Sequence, residues 1–194
     1  MPQVSPRELE GLPLRVHMLL ADVPLHDVWA VDLPRWRSGL TLAAFLRAAD
    51  NSPFTLSPVV RVLLAIRLFV GRVFAWDGES PAQTRDSFTQ RLTAADRSTS
   101  LVSTGTRDGL FRVVYRFENE QLLEVINRTA HAAALSVLVE AGSGYRFYFG
   151  VYVRSTGRFT SLYMSLIDPF RKLVVYPSLL RSVRARWDRA FRTA

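Results

Sequence analysis

The stretch LYMSLIDPFRKLVVYPSLLRSVRARW, residues 162–187, carries a helical apolar rhythm through two prolines and ends in a run of arginines. Phe159, Leu162, Tyr163, Leu166, Ile167, Phe170, Leu173 and Val174 recur at three- and four-residue steps, so one helical face is apolar. A second register continues through Leu179, Leu180, Val183, Trp187 and Phe191. Pro169 and Pro177 each remove a backbone donor and bend a helix rather than erase its pattern. One bent helix, or two abutting helices, is therefore expected at the C-terminal end, with an apolar face that must lie on something.

What it lies on is written just upstream. From residue 110 the apolar period switches to two: Phe111, Val113, Tyr115 and Phe117 alternate with Arg112, Val114 and Arg116. A turn at Glu118–Asn119–Glu120 leads into QLLEVINR, then HAAALSVLVE, a Gly142–Ser143–Gly144 turn, and YRFYFGVYVR. Two consecutive hairpins build an antiparallel meander whose apolar face needs a cover. Further back, LHDVWAVDL (25–33) reads as a strand ending at Pro34, and TLAAFLRAAD (41–50) as a short amphipathic helix. Ser57 and Pro58 cap and open a long apolar helix to about Trp76. The polar stretch 77–109 reads as a surface excursion, with DSFTQRLTAADR forming two or three helical turns capped by Asp86 or Ser87. The fold class is thus α+β: five or six antiparallel strands gripping a long, proline-bent C-terminal helix, with two helices after the first strand.

Bulk properties bound the function. The 194 residues suffice for one domain with a sizeable core, read as 23–194 with residues 1–22 as an N-terminal extension. No cysteine is present, which excludes disulfides and thiolate chemistry. The N-terminal stretch lacks a signal-peptide pattern, and Arg61, Arg67 and Arg72 interrupt the most apolar run, so a soluble cytoplasmic protein is expected. The net charge is +8. Residues 171–192 hold seven cations against Asp188, which is 7 − 1 = +6 of that charge. Yet 24 arginines stand against one lysine throughout the chain, a compositional bias that lowers the meaning of any single arginine.

The wording of FENEQLLEVINRTAHAAALSVLVE, GVYVR and LYMSLIDPFRKLVVYPSLLR, with HDVWAVDLP nearer the start, is similar to an uncharacterised bacterial family. That family is known only as a domain of unknown function and is sometimes fused to NAD(P)-dependent epimerase-like domains. The order strand, helices, meander, long C-terminal helix independently resembles the START-like (SRPBCC) helix-grip architecture. The resemblance implies a cavity between sheet and C-terminal helix. It carries no catalytic motif with it.

The expected function is therefore binding of a hydrophobic or amphipathic small molecule in that cavity, with no cofactor, metal or nucleic acid. Arg67, Phe111, Tyr115, His131, Leu135, Phe147, Phe149, Tyr163 and Phe170 are the expected lining. Arg67 leaves the helical face of Arg61 and Arg72, so it is either paired structurally or aimed at an anionic head group. His131 opens a strand and is either a cavity-mouth acid–base group or bonded to backbone or water. Glu118, Glu120 and Glu124 are read as solvated acids or arginine partners, not as a catalytic pair. An enzyme of cyclase, hydrolase or isomerase type using the same cavity is the alternative. A third reading is peripheral contact of Arg181, Arg184, Arg186, Trp187 and Arg189 with an anionic membrane.

Overall fold

The computed structural model describes residues 3–48, 87–126, 131–154, 169 and 171–192. The expected helix over 58–76 and the first part of the C-terminal helical run lie outside these residues.

Six strands among the described residues form one sheet: β1 Leu25–Pro34, β2 Arg107–Asp108, β3 Phe111–Arg116, β4 Glu120–Ile126, β5 His131–Ala141 and β6 Gly144–Arg154. The order is β1-β6-β5-β4-β3-β2, and every neighbouring pair is antiparallel. The expected meander is present, and β1 closes it by pairing with β6, Leu25 opposite Tyr152 and Pro34 opposite Gly144. Two glycines permit this. Gly142 holds the β5–β6 turn at φ 53°, where a side chain is disfavoured. At Gly144 a Cβ would sit 2.5 Å from the Leu33 carbonyl oxygen, so only glycine lets β1 approach that end.

One face of the sheet carries helices α3 Leu42–Ala48 and α5 Tyr176–Phe191. Thr41 opens α3 by accepting from the Ala44 N–H at 3.1 Å, and Glu118 in the β3–β4 turn accepts from the Ala43 N–H at 2.9 Å. A single π-helical turn, Arg171–Val175, runs straight into α5. Pro177 explains the join: it has no N–H for the carbonyl four residues back, so the chain takes a wider turn before regular helix resumes. The expected C-terminal helix over the sheet is thus found. Leu179, Leu180, Val183, Trp187 and Phe191, the register counted from the sequence, are all buried.

The other face is covered as well. Helices α1 Pro6–Glu10 and α2 Val16–Leu19 bury Leu9, Val16 and Leu19 there, with Leu20 and Val23 beside them. Gln3 bridges to Trp29, and the Val4 N–H donates to the Val28 carbonyl at 3.1 Å. The stretch expected to precede the domain is therefore part of its packing. The stretch 86–97 is expected as one helix; its described part, 87–97, breaks in two at Leu92: a 3-10 turn Phe88–Arg91 capped by Ser87, then α4 Ala94–Thr99. A reciprocal cap between Thr93 and Asp96 starts the second piece afresh.

Candidate functional site

Alternation along the strands decides which face each side chain serves. On the face under α5, cross-strand pairing lines up Arg116 on β3, Gln121 on β4, Ser136 on β5, Phe149 on β6 and Trp29 on β1. The next row on the same face is Val113, Leu123, Ala134, Val151 and Asp27. A polar stripe therefore crosses the middle of an otherwise apolar layer, and it is buried: Gln121 is 0% and Ser136 1% exposed. The Arg116 Nε donates to Gln121 Oε1, and its guanidinium lies 3.6 Å from Asp108. Burial pulls the Arg116 guanidinium below its ordinary value, and Asp108 opposes that.

At the β1 end the stripe meets a charged corner. Asp27, 2% exposed, takes Arg171 Nη2 at 3.1 Å, the Tyr176 hydroxyl at 3.4 Å and Gln3 Nε2 at 3.3 Å. The Tyr176 hydroxyl in turn accepts from Arg171 Nε at 2.7 Å. Lys172 Nζ stands 3.8 Å from the same carboxylate. The Tyr176 ring packs 5.3 Å from Trp29 and 5.8 Å from Phe149, an aromatic wall beside the ion pair. Further along α5 the layer is filled. Trp187 packs against Tyr145 at 5.3 Å, Phe45 at 5.4 Å and Phe191 at 4.8 Å, and donates from Nε1 to the Pro34 carbonyl at 2.9 Å.

The opposite face holds a different polar set. Glu120 accepts from the backbone N–H of Arg15 at 2.8 Å and of Val16 at 2.9 Å, and from the Tyr115 hydroxyl at 2.5 Å. Glu124, fully buried, accepts from the Ser87 hydroxyl and the Phe88 N–H, and lies 3.1 Å from His131 Nε2. The His131 ring stacks on Phe88 at 3.8 Å.

The expected lining is therefore divided. Phe111, Phe147 and Phe149 face α5, whereas Tyr115, His131 and Leu135 face the N-terminal segment and cannot line the same cavity. Tyr115 changes sides because the β3–β4 register shifts between Val113 and Tyr115, so a bulge breaks the alternation that grouped it with Phe111. His131 is not at a cavity mouth: its ring is buried between Phe88 and Glu124. Glu120 and Glu124 are buried on one face rather than solvated, since residues four apart in a strand project the same way. Arg67, Tyr163 and Phe170 lie outside the described residues. The sequence reading missed Asp27, Trp29, Arg116, Gln121, Ser136, Arg171 and Tyr176. A signal existed in Gln121 and Ser136, polar residues set among apolar strand neighbours.

Residues 19–178 match the family described as "Protein of unknown function (DUF2867)". The chain belongs to that family. The match runs from α2 through the first turn of α5, so it takes in the sheet, the polar stripe and the Asp27 corner. No curated protein and no solved structure matches the chain.

Among this family member's described residues, no helix is long and apolar enough to cross a membrane. On α5, Arg181, Arg184 and Arg189 are exposed and Arg186 is half-buried. Trp187, expected among them as a membrane-contacting residue, is 0% exposed, because the helix spends its aromatic face on the sheet.

Three tyrosines of the N-terminal face are held protonated. Burial, then Glu120, pushes the Tyr115 hydroxyl well above its ordinary value; burial and Glu8 raise Tyr148 to about 12; burial, Glu120 and Glu10 raise Tyr152 to about 12. A value raised in the fold means the folded state holds its proton more tightly than the unfolded chain does. That stability is complete below about pH 10 and drains away as pH rises toward about 12. Alkaline titration followed by tyrosinate absorbance is therefore expected to show late ionisation coincident with unfolding. All six tyrosines ionising together near pH 10 in still-folded protein would contradict this.

Proposed function

We propose that this chain binds a hydrophobic or amphipathic small molecule in the layer between the sheet and the C-terminal helix, as a START-like helix-grip domain does. The observation that carries the reading is the buried polar stripe Arg116–Gln121–Ser136, running toward Trp29 and the Asp27 corner inside an apolar layer. A layer serving only as core has no use for these groups, because burying polar atoms costs free energy unless each is matched. Aromatic walls with a few convergent polar groups are the usual make-up of a small-molecule site. Phe149, Trp29 and Tyr176 supply the wall, and Arg171 with Asp27 a polar end.

Catalysis by His131 in that cavity is not part of the reading, since its ring lies on the other side of the sheet. The membrane reading loses its aromatic anchors, both Trp187 and Phe191 being buried.

Native mass spectrometry of gently purified protein, beside a denatured control, tests the proposal. A discrete co-purifying mass that vanishes on denaturation is expected. A mass equal to the bare chain, with no added probe retained, would remove the ligand and leave a packed core.

A further inference from the structure

Among the described residues, two donors on the stripe have nothing to donate to. Gln121 Nε2 and Trp29 Nε1 are buried, and neither has an acceptor among the described residues. For an isolated amide this could reflect a reversed oxygen and nitrogen, but Arg116 removes that freedom. The guanidinium Nε only donates, so the amide must turn its oxygen toward Arg116 and its nitrogen away. The indole Nε1 is a donor in every state. Both residues project from the same face and the same cross-strand row, three strand spacings or on the order of 14 Å apart. A buried donor left unmatched costs free energy, so two in one row are a standing demand for acceptors. The charges at either end of the row are already matched: Arg116 has Asp108, and Arg171 has Asp27. The row asks for neutral acceptor oxygen rather than for a counter-ion.

We infer that the ligand is an apolar frame bearing carbonyl-type acceptor oxygens, and that Gln121 and Trp29 select it over the corresponding hydrocarbon. This rests on the ligand-binding reading above and names the chemistry of its ligand. Ser136, between the two donors on the same row, adds a hydroxyl that can also donate.

The test uses a matched pair of fluorescent probes on the full chain: 2-propionyl-6-dimethylaminonaphthalene, and its propyl counterpart lacking the carbonyl. The ketone is expected to bind about 10-fold more tightly or better, the worth of one matched buried hydrogen bond. In the double variant Trp29→Phe, Gln121→Glu the preference is expected to collapse toward one. Gln121→Glu keeps an acceptor for Arg116 while exchanging the free donor for an oxygen, and Trp29→Phe keeps an aromatic ring. Trp29→Phe alone, expected to narrow the ratio, serves if the double variant does not fold by circular dichroism. Equal affinity of the two probes for the unmodified chain, or an unchanged ratio in the variants, overturns the inference and assigns the donors to water. Binding of neither probe, with a bare-chain mass, overturns the ligand reading itself.

Discussion

Trp187→Ala is expected to lower the unfolding free energy by about 3–5 kcal/mol, measured by urea denaturation. Among the described residues the indole is the largest side chain with no exposure, and it touches elements far apart in sequence: α3 through Phe45, β6 through Tyr145, its own helix through Phe191. Truncation removes the transfer free energy of the ring and leaves a cavity that three aromatic neighbours cannot readily close. It also strands the Pro34 carbonyl at the end of β1, which loses the Nε1 donor. Trp187→Phe, which keeps most of the volume but not the N–H, is expected to cost much less. A loss below about 1.5 kcal/mol for the alanine variant would mean that α5 is not fixed by this residue.

Glu120→Ala is expected to cost a similar amount, about 3–5 kcal/mol, by a different route. The carboxylate serves three donors at once: two backbone N–H groups at the start of α2 and the buried hydroxyl of Tyr115. A helix as short as α2 has no internal partners for its first N–H groups, so its position depends on this outside acceptor. The alanine variant is expected to loosen the N-terminal segment first, seen as faster proteolysis near Arg15 while circular dichroism of the sheet persists. A double-mutant cycle with Tyr115→Phe isolates the shared bond. Independent, additive losses in that cycle would show that the Tyr115–Glu120 bond carries no energy of its own.

Period-two and period-3.6 patterns located the strands, the meander and the apolar face of α5, because each follows from which side chains must leave water. Sidedness was harder. His131 and Leu135 are expected in a cavity under the C-terminal helix, yet with Ala133 and Val137 they face the N-terminal segment. Strand β5 is apolar at nearly every position, as strands buried on both faces are, and that continuity foretold a second cover. Residues 3–23 provide it, although short helices without strong caps left little local signal. The bulge at Val113–Tyr115 had no local signature either, since neither glycine nor a turn residue marks it. Asp27 and Arg171 are joined across 144 residues, a distance at which pattern reading has nothing to say.

The place of β1 bears on how the chain is made. Its partner, β6, is the last of the described strands to leave the ribosome, and helices that pack over β1 on its two faces come from opposite ends of the chain. Strands β3 to β6 can pair with near neighbours as they emerge, each only a few residues further along the chain. Strand β1, the first of the described strands to be synthesised, must wait as an unpaired edge carrying Val28, Trp29 and Val31 until Arg154 has been added. Closing so long a loop is the slow step for sheets of this kind. Over that interval the nascent chain exposes an edge able to pair with another copy, a hazard of its topology rather than of its final stability.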